Sequence, residues 1–290
     1  MTAFRAISSG LAATWRARWM VFLFFGCHLL LAAAVAAPMH SAIADHLGRS
    51  AAGEELARGF SAAWLTEFQI AYEVFLKSFS SAIVYAGILF LALNTVLSAG
   101  AYEVFAGGEG ARLHAFGRGV GKYFARFVRL ALIASVLYFL AFWIWNDLAL
   151  RQLERWFQDS TREAWHFRLN LVRVSALFLS AMLVNLVMEY ARADMVARQR
   201  ESVLGALGQA AGFVLRYLPS VLVIELGVGA LTALSIAAYA FLARYFRQDS
   251  PASILLWFFV AQALFWLRWL FRLSSWGAAL EFYRGRSRLA

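Results

Sequence analysis

The chain has 290 residues, 62% of them hydrophobic and only 15% charged, with a mean hydropathy of +0.64. Soluble domains are roughly one quarter charged, so this balance excludes an ordinary soluble fold and makes lipid part of the solvent. The formal charge of +10 would suggest nucleic acid in a soluble protein. Here no basic stretch forms a free tail or a folded basic module. Basic residues instead flank apolar runs, as they do at the cytoplasmic ends of membrane spans. The expected partners are therefore membrane lipids and no nucleic acid.

Only 3 Pro interrupt the chain, and long apolar runs alternate with short charged segments. That pattern favours helices over a β-barrel, whose strands would alternate apolar and polar residues. In chain order the runs cover residues 19–39, about 79–105, 127–145, about 171–190, 219 to about 242, and 253 to about 273. Each can cross about 30 Å of hydrocarbon at about 1.5 Å per residue. The first run also has the look of a signal peptide, with Arg5, Arg16 and Arg18 ahead of it and small residues behind. Its long positive leader favours a retained span. The expected fold is an all-α integral membrane protein of six transmembrane helices.

Charge sets the expected orientation. With the N-terminus inside, the cytoplasmic segments hold Arg5, Arg16 and Arg18, then five basic residues in 112–129, four in 192–216 and five in 268–288. That is seventeen of the 27, as the positive-inside rule requires of two cytoplasmic termini. Arg dominates, with only Lys77 and Lys122 as lysines, a usage associated with GC-rich bacterial genomes. The expected location is a bacterial cytoplasmic membrane. Helix start signals lie on the outer side: Ser160 with Glu163 three residues on, and Ser250 followed by Pro251. Pro219 marks the start of the fifth span.

Residues 94–121 and 185–212 match without gaps at an offset of 91. Asn94 meets Asn185, Glu103 meets Asp194, Leu113 meets Leu204, Gly117 meets Gly208 and Gly121 meets Gly212. A weaker third copy aligns Ala101, Glu103 and Gly107 with Ala279, Glu281 and Gly285. The stretch 8–20 resembles 117–129 in the same place before a span. The implied unit is an amphipathic helix, a span going out and a longer helix returning. Three such units would occupy about 1–106, 107–197 and 198–290 of a single membrane domain. The stretch 117–129 reads as an interfacial helix with Tyr123, Phe124 and Phe127 towards lipid or core. The pairs Gly117/Gly121 and Gly208/Gly212 read as sites of close helix contact.

This layout, with Tyr190 to Asp194 after the fourth span, resembles uncharacterised bacterial six-span families. Those families are similar to the membrane domain that accompanies some glycerophosphodiester phosphodiesterases. The catalytic phosphodiesterase domain is absent from this sequence, so the resemblance implies the membrane layout and no activity.

No residue pattern supports catalysis. Residues 117–123 approach a phosphate-binding loop but lack its spacing, the Ser or Thr after Lys122 and a preceding strand. There is no HExxH, GxSxG or CxxC. His114 and His166 lie in flanks of different spans, and Cys27 is the only cysteine, which excludes an intrachain disulfide. The expectation is no enzyme, no cofactor and no metal. Among intramembrane polar residues, His28 lies mid-span beside Cys27, where a core imidazole is a simpler reading than a haem ligand lacking its second His. Glu225 lies about six residues into the fifth span, where a carboxylate is costly unless protonated, paired or hydrated. Arg268 and Arg272 of the sixth span are the available partners, with Arg268 the better placed.

Glu103, Asp194 and Glu281 sit where returning helices meet the cytoplasm. An acid at a helix C-terminus opposes the macrodipole, so each needs a basic partner or a helix that continues past it. The alternative is a cytoplasmic acidic ring. On the outer side, Phe60, Trp64, Phe68, Tyr72, Phe75 and Phe79 share one helical face, a packing surface or a lid. Together these features suggest a non-catalytic subunit or scaffold of a membrane complex, or a lipid-handling factor, acting with other membrane proteins or as a homo-oligomer. The alternative is a small transporter or channel using Glu225, Asn94 and Asn185.

Overall fold

A computed structural model of the chain describes residues 2–48, 56, 61–107, 113–149, 151–152, 163–245 and 250–287. Among them the regular structure is entirely helical. The helices are α1 (Ala3–Arg16), α2 (Arg18–Gly48), α3 (Ala62–Ala71), α4 (Glu73–Gly107), α5 (Leu113–Trp143), α6 (Glu163–Ala197), α7 (Val203–Arg216), α8 (Leu218–Tyr245) and α9 (Pro251–Ser287). A π-helical turn, Ile144–Leu148, extends α5. Six of these, α2, α4, α5, α6, α8 and α9, are long and apolar enough to cross a membrane. The chain is thus an all-helical, multi-pass membrane protein. Its helices overrun the apolar runs by up to four turns, because helical hydrogen bonding continues through the polar flanks.

The described chain parts into two compact units, residues 22–94 and residues 1–21 with 95–290. In the smaller unit the expected aromatic face is present. Trp64 and Phe68 lie 5.4 Å apart, Phe68 and Tyr72 4.9 Å, and Phe75 and Phe79 5.5 Å between ring centroids. Phe60 lies outside the described residues. The buried His46 of α2 meets Trp64, Phe68 and Tyr72, and the Tyr72 hydroxyl donates to Asp45 at 2.6 Å. The face therefore packs inward on α2. Ser61 caps α3 by accepting from the Trp64 N–H.

In the larger unit, short helices pack on the ends of long ones. A Cβ at Gly10 of α1 would stand 2.4 Å from the Ser274 carbonyl oxygen of α9, and one at Gly119 of α5 would stand 2.5 Å from Glu103 Cβ of α4. Both positions need glycine for close backbone approach. The pairs expected to serve this purpose do not: a Cβ at Gly117, Gly121, Gly208 or Gly212 would meet nothing within 4 Å. The reason is helical phase. The buried stripe of α5 runs through Phe116, Gly119, Tyr123, Phe127 and Leu130, and residues 117 and 121 fall beside it.

Another expectation is corrected here. Helices α1 and α7, each 14 residues long, end at bends on Ala17 and Tyr217 before their spans. The matching stretch, whose described part is residues 113–125, has no such bend and runs unbroken into its span as α5. At the second of these bends Pro219 follows Tyr217 and removes a backbone donor. Ser250 caps α9 as expected: its hydroxyl accepts from the Ser253 N–H, and the Ser253 hydroxyl accepts from the Ser250 N–H. The expected cap at Ser160 lies outside the described residues.

Candidate functional site: a charged cluster on three helices

Glu225 stands seven residues into α8, about 10 Å from its start, and Glu189 stands eight residues before the end of α6, about 12 Å from it. Both lie within membrane-crossing segments. Asn185 and Glu189, four apart, share a face of α6, and Arg272 and Ser275, three apart, share a face of α9. These faces meet. The Arg272 guanidinium lies 3.3 Å from Glu225 Oε1 and 3.5 Å from Glu189 Oε2, and donates to Asn185 Oδ1 at 3.3 Å. The Ser275 hydroxyl lies 2.8 Å from Glu189 Oε1 and 2.9 Å from Glu225 Oε2. Glu189 is 2% exposed, Glu225 20% and Arg272 33%.

Aromatic side chains close one side. Arg272 lies 5.6 Å from the Trp276 ring centre, Tyr102 stacks on Trp276 at 5.8 Å, and the Tyr102 hydroxyl donates to the Glu189 carbonyl at 3.3 Å. Arg192, three residues beyond Glu189, lies over Phe127 at 5.9 Å. Its buried Nε has no hydrogen-bond partner among the described residues.

The chemistry of the cluster follows from counting charges and hydrogens. Two carboxylates face one guanidinium directly. A serine hydroxyl carries a single hydrogen, so it can donate to Glu189 or to Glu225 but not to both. Both short contacts become hydrogen bonds only when one carboxyl carries a proton and donates it to Ser275 Oγ. The arrangement can therefore hold one proton between Glu189 and Glu225, neutralised on the other side by Arg272.

The remaining candidates fall elsewhere. Arg268, the expected partner of Glu225, is exposed, and its guanidinium lies over Phe265 at 6.0 Å. The helix pair places Arg272, one turn further along α9, at the depth of Glu225. His28 is buried, donates through Nδ1 to the Phe24 carbonyl at 2.7 Å, and packs edge-on against Phe90 at 5.0 Å. Asn94 has a buried Oδ1 with no hydrogen-bond partner among the described residues.

The three acids near the helix ends each have arginine partners. Glu103 meets Arg118 at 3.2 Å, and Glu281 meets Arg284 at 4.0 Å. Asp194, fully buried, accepts from the Tyr283 hydroxyl at 2.6 Å and meets Arg200 at 3.0 Å and Arg198 at 3.5 Å. Each helix also continues beyond its acid, to Gly107, Ala197 and Ser287. Glu189 and Ser275 were absent from the sequence reading. The signal that could have found Glu189 is its spacing of four from Asn185, which repeats a polar face inside an apolar helix. Comparison with protein-family models, with curated proteins and with solved structures found no match to this chain.

Proposed function

We propose that the chain is a non-catalytic component of a bacterial cytoplasmic membrane, a scaffold or lipid-handling subunit, with both termini in the cytoplasm. The observation that carries this reading is the mutual pairing of Arg272 with Glu189, Glu225 and Asn185. These are the ionic groups a permeation path would use, and here they tie α6, α8 and α9 to one another. The three-unit organisation is part of the proposal. Helices α1 and α7 match in length and in the bend that ends them, and the returning helices α4, α6 and α9 have 35, 35 and 37 residues. At the offsets of 91 and 178 that relate the copies, Asn94, Asn185 and Arg272 are equivalent positions. The polar cluster then grows from one position of the repeat, at which the third copy carries charge. The likeness to the phosphodiesterase-associated membrane domain enters as part of the same proposal and extends to layout alone.

One observation favours a second reading, a proton-coupled transporter: the single Ser275 hydroxyl between two carboxylates. Purified protein in liposomes separates the two. On the scaffold reading Glu225→Gln lowers thermal stability and wild-type vesicles show no flux above empty ones. If Glu225→Gln keeps full stability but abolishes a proton- or ion-dependent flux present in the wild type, the transporter reading replaces the scaffold.

A further inference from the structure

A second polar site lies apart from the charged cluster, at the end of the larger unit where α7 meets the last turns of α9. It is a cavity of about 270 Å³, open to one side. One wall is a face of α7 that presents Gly208, Gln209, Gly212 and Arg216; the other carries Tyr283, Arg286 and Ser287. The span α8 begins at Leu218, directly after the wall formed by Arg216 and Tyr217. The cavity therefore opens where a membrane-crossing helix starts, at the level of lipid headgroups.

Three arginines line it, and their charges are unequally matched. Arg198 shares Asp194 with Arg200. Arg216 and Arg286 have no carboxylate within 4 Å among the described residues. They nevertheless converge on one ring: their guanidinium carbons lie 5.6 Å and 5.3 Å from the Tyr217 centroid. The Arg286 Nε is buried and has no hydrogen-bond partner among the described residues. Two guanidinium groups that flank one aromatic ring and line one cavity, one with an unused buried donor, make that cavity a place for an anion. Guanidinium groups match a phosphate with paired N–H donors, and Gln209 adds a neutral donor. The glycine faces leave the room: a Cβ at Gly208 or Gly212 would meet nothing within 4 Å. The volume lies just below the roughly 300–1,000 Å³ of whole small-molecule sites, so it suits a headgroup better than a large ligand.

We propose that this cavity binds a phosphate group, held by Arg216 and Arg286, with Tyr217 and Phe213 against its less polar substituent. The site stands on its own geometry and survives if the charged cluster proves to be a transport element. A phosphate can arrive as the headgroup of an anionic lipid or as a free anion, and the test distinguishes the two.

Full-length protein in a neutral detergent would be titrated with soluble short-chain phosphatidylglycerol, with phosphatidylcholine of the same chain length and with inorganic phosphate. Binding would be read by native mass spectrometry. Phosphatidylglycerol should bind more tightly than phosphatidylcholine. The double variant Arg216→Gln/Arg286→Gln should bind it about 30-fold more weakly, the effect of two basic residues at a membrane surface. Gly212→Leu places an apolar side chain in the cavity while keeping both arginines, and its Cβ meets nothing within 4 Å. It should weaken binding about tenfold and leave the unliganded thermal midpoint unchanged, so it decides the matter if the arginine variant does not fold. Phosphatidylglycerol bound well above inorganic phosphate identifies a lipid headgroup; inorganic phosphate bound as tightly identifies a free anion. Unchanged affinity in both variants, for phosphatidylglycerol and for inorganic phosphate alike, overturns the proposal.

Discussion

Arg272→Met tests whether the intramembrane cluster holds the bundle together. Methionine keeps an unbranched apolar stem but removes the guanidinium, its charge and its place beside Trp276. Glu189, 2% exposed, and Glu225, 20% exposed, then face each other through Ser275 without a cation. Removing one partner of a buried pair costs about 3–5 kcal/mol, because the other charge stays buried and uncompensated. Part of that loss is recoverable. Glu225→Gln in the Arg272→Met background leaves one carboxyl, Glu189, with the Ser275 hydroxyl now free to donate to it alone. The double variant should regain about 0.5–3 kcal/mol, the range of coupling between residues in one ionic network.

Glu225→Gln alone should cost less than Arg272→Met, since Arg272 keeps Glu189 and Asn185. The assay is thermal unfolding in detergent, read as the folded fraction by fluorescence-detected size exclusion. Arg268→Met is the internal control: its guanidinium is exposed and lies over Phe265, so its effect should stay within about 0.5 kcal/mol. The reasoning fails if Arg272→Met is as stable as wild type, or if Glu225→Gln makes the Arg272→Met protein weaker still.

Three further outcomes are expected. Gly10→Ala and Gly119→Ala should each lower stability by about 1–3 kcal/mol through overpacking, whereas Gly121→Ala, which meets open space, should be neutral or gain up to about 1 kcal/mol of helix propensity; thermal midpoints of the three variants check this. Gln199 holds a positive φ of 54° in the turn between α6 and α7, so Gln199→Gly should stabilise by about 1 kcal/mol in the same assay, relieving the left-handed conformation that favours glycine. For orientation, single cysteines at Ser50 and Ser160 in a Cys27→Ser background should react with an impermeant maleimide from outside the cell. A cysteine at the exposed Glu201 should not, and labelling there would refute the cytoplasmic termini.

The contrast between Arg268 and Arg272 marks where sequence reasoning stopped. Membrane helices announce themselves, because lipid forces every backbone polar group into internal hydrogen bonds and every exposed side chain to be apolar. Glu225 was visible for the same reason, as a lone acid in such a run. Its partner was not. Residues 268 and 272 are four apart and share a face of α9, so periodicity cannot choose between them; the axial register of α9 against α8 does, and register depends on packing between helices.

Glu189 was hidden differently. An apolar run that ends near residue 190 would put it at the water, yet α6 continues to Ala197, stabilised by contacts that hydropathy does not record. At its end Arg198 and Arg200 fold back on Asp194, and the Arg200 N–H bonds to the Met195 carbonyl at 3.1 Å across the Gln199 turn. The glycines make the same point. Gly117 and Gly121 have the spacing of a contact motif, while Gly119 between them makes the contact. A spacing of four says that two residues share a face; which face is buried is decided by Phe116, Tyr123 and Phe127, the large side chains that fill the core beside them.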